Sequence, residues 1–124
     1  MRTSLFLATI LMLAAGVPAR ATQDDILLTA ALTQAPGQSL EALRVGYAPG
    51  EASKPHSHDR DAYVYVLSGH VRSQVEGQPL RVYAAGENWF EPAGARHLVS
   101  ANASGTEPAT ILVVFVGKPH VPNT

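Results

Sequence analysis

At 124 residues and a formal net charge of −1, the chain holds one domain at most and lacks the positive surplus that nucleic acid or an anionic membrane surface selects. It contains no cysteine, so disulfides and thiolate metal ligands are excluded. Any metal must sit on nitrogen and oxygen donors.

The first residues read as a leader. Met1-Arg2 is a short positive start, Ser4 to Val17 is apolar and rich in Leu and Ala, and Ala19-Arg20-Ala21 is a small-x-small triplet. This is the three-part pattern of a secretory signal. The apolar run is shorter than the roughly 20 residues that a membrane span needs. Residues 1–21 are therefore expected to be a signal peptide, cleaved after Ala21, with residues 22–124 released as a secreted or periplasmic domain without a membrane anchor. Loss of Arg2 and Arg20 leaves ten acidic against seven basic residues, again without a footprint for nucleic acid.

In the mature chain, Asp24 to Thr33 fits either a short helix or an edge strand. Gln34-Ala35-Pro36-Gly37-Gln38 is a turn by its Pro-Gly pair. Ser39 to Ala48 alternates and predicts a strand, ended by Pro49-Gly50. Ala62 to Leu67 is dense in Tyr and Val and predicts a strand apolar on both faces, with Val64 and Val66 on one and Tyr63, Tyr65 and Leu67 on the other. Such a strand needs a second layer or a partner subunit over its outer face. Ser68-Gly69 breaks the run, and His70 to Glu76 is expected to return as its hairpin partner. Leu80 to Ala84 predicts another strand before the turn at Ala85-Gly86-Glu87 and the pair Trp89-Phe90. His97 to Ala101 is a mixed strand. Thr110 to Val116 is the most hydrophobic segment, and its β-branched content predicts a central strand. Short strands separated by Gly and Pro indicate an all-β sandwich or barrel.

Two stretches carry chemistry. His56 and His58 stand one residue apart at the start of a strand-like run, so in extended backbone their imidazoles point to one side and suit a divalent transition metal. Pro92-Ala93-Gly94-Ala95-Arg96-His97 is a turn that delivers another histidine onto a strand. Gly50, five residues, His56-x-His58 and then Gly69 resemble the first motif of the cupin superfamily. Gly86, five residues, Pro92-x-Gly94-x-x-His97 resemble the second. The resemblance covers Ser39 to Val116 and implies a small jelly-roll β-barrel with one divalent metal held by His56, His58 and His97. Many cupins also pair as homodimers through sheet faces, which suits Tyr63 and Tyr65.

The chain departs from that pattern at one ligand. The first motif normally carries a glutamate where this sequence has Ala62, and Asp61 is one residue out of phase, so a regular strand turns it to the opposite face and only a bulge near Asp59-Arg60-Asp61 would swing it inward as a replacement. The asparagine that trails the second motif is displaced too, with Ala101 in its place and Asn102 beside it. A three-histidine site with open positions is the expected result. Cupins lacking the glutamate include thiol dioxygenases, which hold ferrous iron by three histidines. The metal could be Fe, Mn, Zn, Ni or Cu, with affinity alone favouring copper or zinc. The leading functional expectation is metal-dependent chemistry on a small molecule, either oxygenation or a lyase or isomerase step. The alternative is a non-catalytic barrel that binds or senses a metal or ligand. Arg96 is expected at the surface, His70 and His120 outside the site, and Tyr47, Tyr83, Trp89 and Phe90 either in the core or at the barrel mouth.

Overall fold

A computed structural model describes residues 23–119. The expected signal peptide and its cleavage point, and His120, lie outside these residues. Ten strands form the described part, and it contains no helix.

β1 (Gln23–Ala31) settles the alternative left open at Asp24 to Thr33 in favour of an edge strand. It pairs on one side only, antiparallel to β2 (Ser39–Tyr47), and a bulge interrupts the register between Ile26 and Leu28. One sheet runs in the order β1, β2, β10 (Ala109–Gly117), β5 (Asp61–Ser68), β8 (Asn88–Glu91). The other runs β3 (Ala52–Ser53), β9 (Arg96–Asn102), β6 (His70–Val75), β7 (Arg81–Ala84), with β4 (His56–Ser57) also paired to β9. The jelly-roll expectation stands, but hydrogen bonding does not run round one closed barrel: two sheets face each other.

The expected hairpin between Ala62–Leu67 and His70–Glu76 is not formed. β5 pairs with β10 and β8, whereas β6 pairs with β7 and β9 in the opposite sheet. Gly69 is where the chain leaves one sheet for the other. Its φ is +75°, and a Cβ there would stand 2.6 Å from the Pro108 carbonyl oxygen, so only glycine fits the corner. From sequence a corner and a hairpin turn carry the same breaker signal.

The core lies between the sheets. Val64, Val66 and Val71 are fully buried, and β10 alternates so that Ile111, Val113 and Phe115 face inward. Each buried side chain of this size contributes about 1.5–3 kcal/mol relative to exposure. β10 sits between β2 and β5, the central position predicted by its β-branched run. The outer face of β5 is left open, with Tyr63 42% and Leu67 45% exposed.

Candidate functional site

The site is assembled by the two motif turns. Pro92-Ala93-Gly94-Ala95 closes with a 3.0 Å hydrogen bond from the Ala95 amide to the Pro92 carbonyl, and Gly94 takes a φ of +80° at the position where a type II turn requires it. Asp61 accepts a 2.8 Å hydrogen bond from the Ala93 amide. It is therefore a brace for this turn, facing away from the histidines as the strand period demands. Beyond the turn, β9 places His97 directly across from His56 on β4.

The three predicted histidines are brought together. The ring of His56 lies 4.7 Å from that of His58 and 5.2 Å from that of His97, centroid to centroid. With nitrogen–metal bonds of about 2.1 Å, imidazole centroids stand about 3.2 Å from a shared ion, so neighbouring rings are separated by about 4.5–5.3 Å. The spacing of His56 to each of its two neighbours thus matches that of rings sharing an ion. As the side chains stand, no group of three or more His, Cys, Asp or Glu among the described residues is arranged to hold a metal.

Hydrogen bonds and ring packing hold each histidine. His56 Nδ1 lies 2.6 Å from the Lys54 carbonyl, so it carries the proton and leaves Nε2 with a lone pair. His58 packs edge-on against Phe115, with 4.7 Å between centroids, and the Arg60 guanidinium lies 4.5 Å over the same phenyl ring. Burial first, then the charges of His56, His97 and Arg60, hold His58 below the usual histidine range against an opposing pull from Glu91. His58 is therefore neutral at physiological pH and free to ligate. His97 is engaged at both nitrogens, Nδ1 at 2.7 Å from Glu91 Oε1 and Nε2 at 2.8 Å from Ser73 Oγ.

Glu91 and Ser73 are the residues that sequence reasoning missed. Glu91 is 5% exposed, faces the interior and also accepts a 3.1 Å hydrogen bond from Trp89 Nε1 at the same Oε1. Burial alone would raise its carboxyl. The hydrogen bond and charge of His97, the Trp89 hydrogen bond and the charge of His58 outweigh burial, and hold it below the usual glutamate range. A signal for it did exist: on an alternating strand, an inward Trp89 puts Glu91 inward as well. The sequence reading stopped at the pair Trp89-Phe90 and assigned no strand there.

Glu91, His97 and Ser73 form a carboxylate–imidazole–hydroxyl chain of the kind that activates a nucleophile. Accessibility decides against that role. Ser73 is 2% exposed and does not line the cavity, so no substrate reaches its oxygen.

The histidines and Glu91 open onto a cavity of about 180 Å³ whose walls include Leu43, Val45, Trp89, Ile111 and Phe115. Tyr47 lines it as well, its hydroxyl 3.0 Å from Ser53 Oγ and 2.8 Å from Ser100 Oγ. Asp24 lies among the lining residues, its carboxyl raised by burial and by the nearby Asp25 and Glu51. Among the described residues, no lysine or arginine lines the space. Of the other expectations, Arg96 and His70 are exposed and outside the site, and Tyr83 is core. Phe90 belongs to neither core nor mouth: it faces outward, 50% exposed. The displaced Asn102 is buried, bonding the Ala48 and Glu107 carbonyls and the Ser104 amide, and so ties the β9 end to two loops.

Residues 43–115 match the cupin domain family. The chain is a cupin. Among solved structures, this cupin is similar to TT1209 from Thermus thermophilus, with 29% identity, coverage of 79% of this chain and 85% of that one, and a TM-score of 0.63. It shares its fold with the DMSP lyase DddQ from Ruegeria pomeroyi, at 22% identity, 81% and 49% coverage and a TM-score of 0.65. It is also similar to an oxalate oxidase solved in complex with the substrate analogue glycolate, at 25% identity, 81% and 52% coverage and a TM-score of 0.61. This cupin spans about half the length of each of those two enzymes. No curated protein sequence matches it.

Proposed function

We propose that this cupin is an exported protein that holds one divalent transition metal at His56, His58 and His97 and acts on a small molecule there. The observation that carries the reading is the meeting of three imidazole rings from two distant turns beside one cavity, with His56 4.7 Å from His58 and 5.2 Å from His97. The donor chemistry fits such an ion. His56 presents a free nitrogen and His58 is neutral. A bound ion would supply Lewis acidity, or redox capacity if it were iron, copper or manganese.

The protein's own residues set what the site accepts. An apolar cavity of about 150 Å³ holds benzene, so the cavity of about 180 Å³ here suits a compound of similar size. With no lysine or arginine among the described lining residues, no cationic side chain clamps an anion there. The hydroxyls of Tyr47, Ser53 and Ser100 offer donors and acceptors to a polar group on the substrate, beside the apolar walls. Similarity to an oxalate oxidase and to DMSP lyases supports chemistry on a small molecule and leaves the oxidative and the lyase or isomerase branches side by side.

A second reading has its own observation. His97 is fully hydrogen-bonded without any ion, which favours a non-catalytic barrel that binds or senses a ligand. Metal analysis of protein from the native source, repeated on His97→Ala, separates the two. One ion per chain in the wild type, lost in a variant that stays folded, supports the functional site. A wild type free of metal sinks it and leaves the binding barrel.

A further inference from the structure

We propose that Glu91 is the oxygen ligand of the metal site, supplied from β8 in place of the missing side chain at Ala62 on β5. This rests on the metal-binding reading above and deepens it. In the β5–β8 pair, Ala62 and Glu91 are directly opposed, and directly opposed residues of an antiparallel pair share one face of the sheet. Phe115 is the partner of Ala62 on its other side, so Phe115, Ala62 and Glu91 form one row across the inner face. Ala62 is fully buried and contributes only a methyl group to that row. The carboxylate that β5 does not provide is present one strand away, on the same face.

Three further observations point the same way. Both hydrogen bonds to Glu91 fall on Oε1, and among the described residues none uses Oε2. Glu91 lines the same cavity as His56, His58 and His97, where no lysine or arginine of the described residues stands beside it, so that a bound cation would complement its charge. Its Oε1 lies 2.7 Å from His97 Nδ1. Neighbouring donors around one ion stand about 3.0–3.4 Å apart, so an ion could replace the shared proton with little movement. Ser73 would meanwhile keep its bond to the far nitrogen of the ring and fix the ring's orientation.

Glu91→Gln separates a ligand from a positioning residue, because the amide oxygen still accepts a hydrogen bond from His97 while the anionic oxygen is gone. The wild-type chain, Glu91→Gln and the double variant Ala62→Glu/Glu91→Ala would be titrated with Mn(II), read by its electron paramagnetic resonance signal, and with Zn(II), read by competition with a chelating dye. Manganese depends on oxygen donors more than zinc does. The expected result is one ion per wild-type chain, an at least hundredfold loss of Mn(II) affinity in Glu91→Gln against a loss below tenfold for Zn(II), and return of Mn(II) binding to within tenfold of wild type in the double variant. Equal losses for both metals would reduce Glu91 to a positioning residue, and no loss would leave it outside the site; either result overturns the proposal while the metal-binding reading stands. A wild type that binds neither metal overturns both.

Discussion

The amide of Gly94 donates a 2.7 Å hydrogen bond to the carbonyl of His58, so the turn that aims His97 is fastened to the loop that carries the other histidines. Gly94 has open space around its missing Cβ, and its only constraint is a φ of +80°. Gly94→Ala should therefore cost about 1–2 kcal/mol, the penalty of a left-handed alanine. Gly69→Ala should cost more, since its added carbon meets the Pro108 backbone as well. Urea unfolding of both variants checks the order; an equal or reversed ranking would show that the sheet-to-sheet corner relaxes freely.

Ser73 holds His97 from the side opposite Glu91. Ser73→Ala leaves a buried imidazole nitrogen without a partner, and the expected destabilisation of the metal-free protein is about 1–3 kcal/mol. Metal affinity should also fall, by about tenfold, as is usual when a residue that orients a ligand is removed. Ser73→Thr keeps the hydroxyl and should retain affinity. The measurements are urea midpoints and Zn(II) titration, and an alanine variant as stable and as tight as wild type would remove Ser73 from the site.

Acid should destabilise the metal-free protein. His58 titrates lower in the folded chain than its unfolded value of about 6.5, so below that pH the unfolded state binds more protons and stability falls. The groups facing it are His56, His97, Glu91 and Arg60. Glu91, also lowered, adds stability that is present above its unfolded value of 4.5 and is lost as pH falls through its folded value. Asp24 has the opposite sign: its raised carboxyl favours folding below 3.8 and loses that contribution as pH rises, offsetting part of the decline only at the acid end. Urea midpoints of chelator-treated protein should be level above about pH 7.5 and decline from about pH 6.5 downward. A midpoint that rises between about pH 7 and 5 contradicts these assignments.

Tyr63 and Phe90 are cross-strand partners on the outer face of the first sheet, 42% and 50% exposed. With Leu67 they make an apolar patch that a second copy of the chain is expected to cover. Sedimentation should show a dimer for the wild type and a monomer for Phe90→Asp, with metal binding retained by both. A monomeric wild type at micromolar concentration removes this expectation.

The histidine pair, the Pro92–Gly94 turn and the strand character of Ser39–Ala48, Ala62–Leu67 and Thr110–Val116 were legible in the sequence. Each depends on neighbours along the chain: side chains two apart share a face, glycine alone takes a left-handed φ with ease, and β-branched residues fit a pleated sheet. The resemblance to the cupin motif marked Ala62 as the place of the missing carboxylate, and the outward turn of Asp61 followed from local phase. Which strands pair was decided elsewhere. The path through Gly69 depends on where the Pro108 backbone comes to lie, and the place of Glu91 depends on the register of β8 against β5. Those are contacts between segments far apart in sequence, fixed by the packing of two sheets rather than by any local preference. The sequence by itself therefore determined which histidines its motifs single out, and only the tertiary structure decided that they meet and that a carboxylate stands beside them.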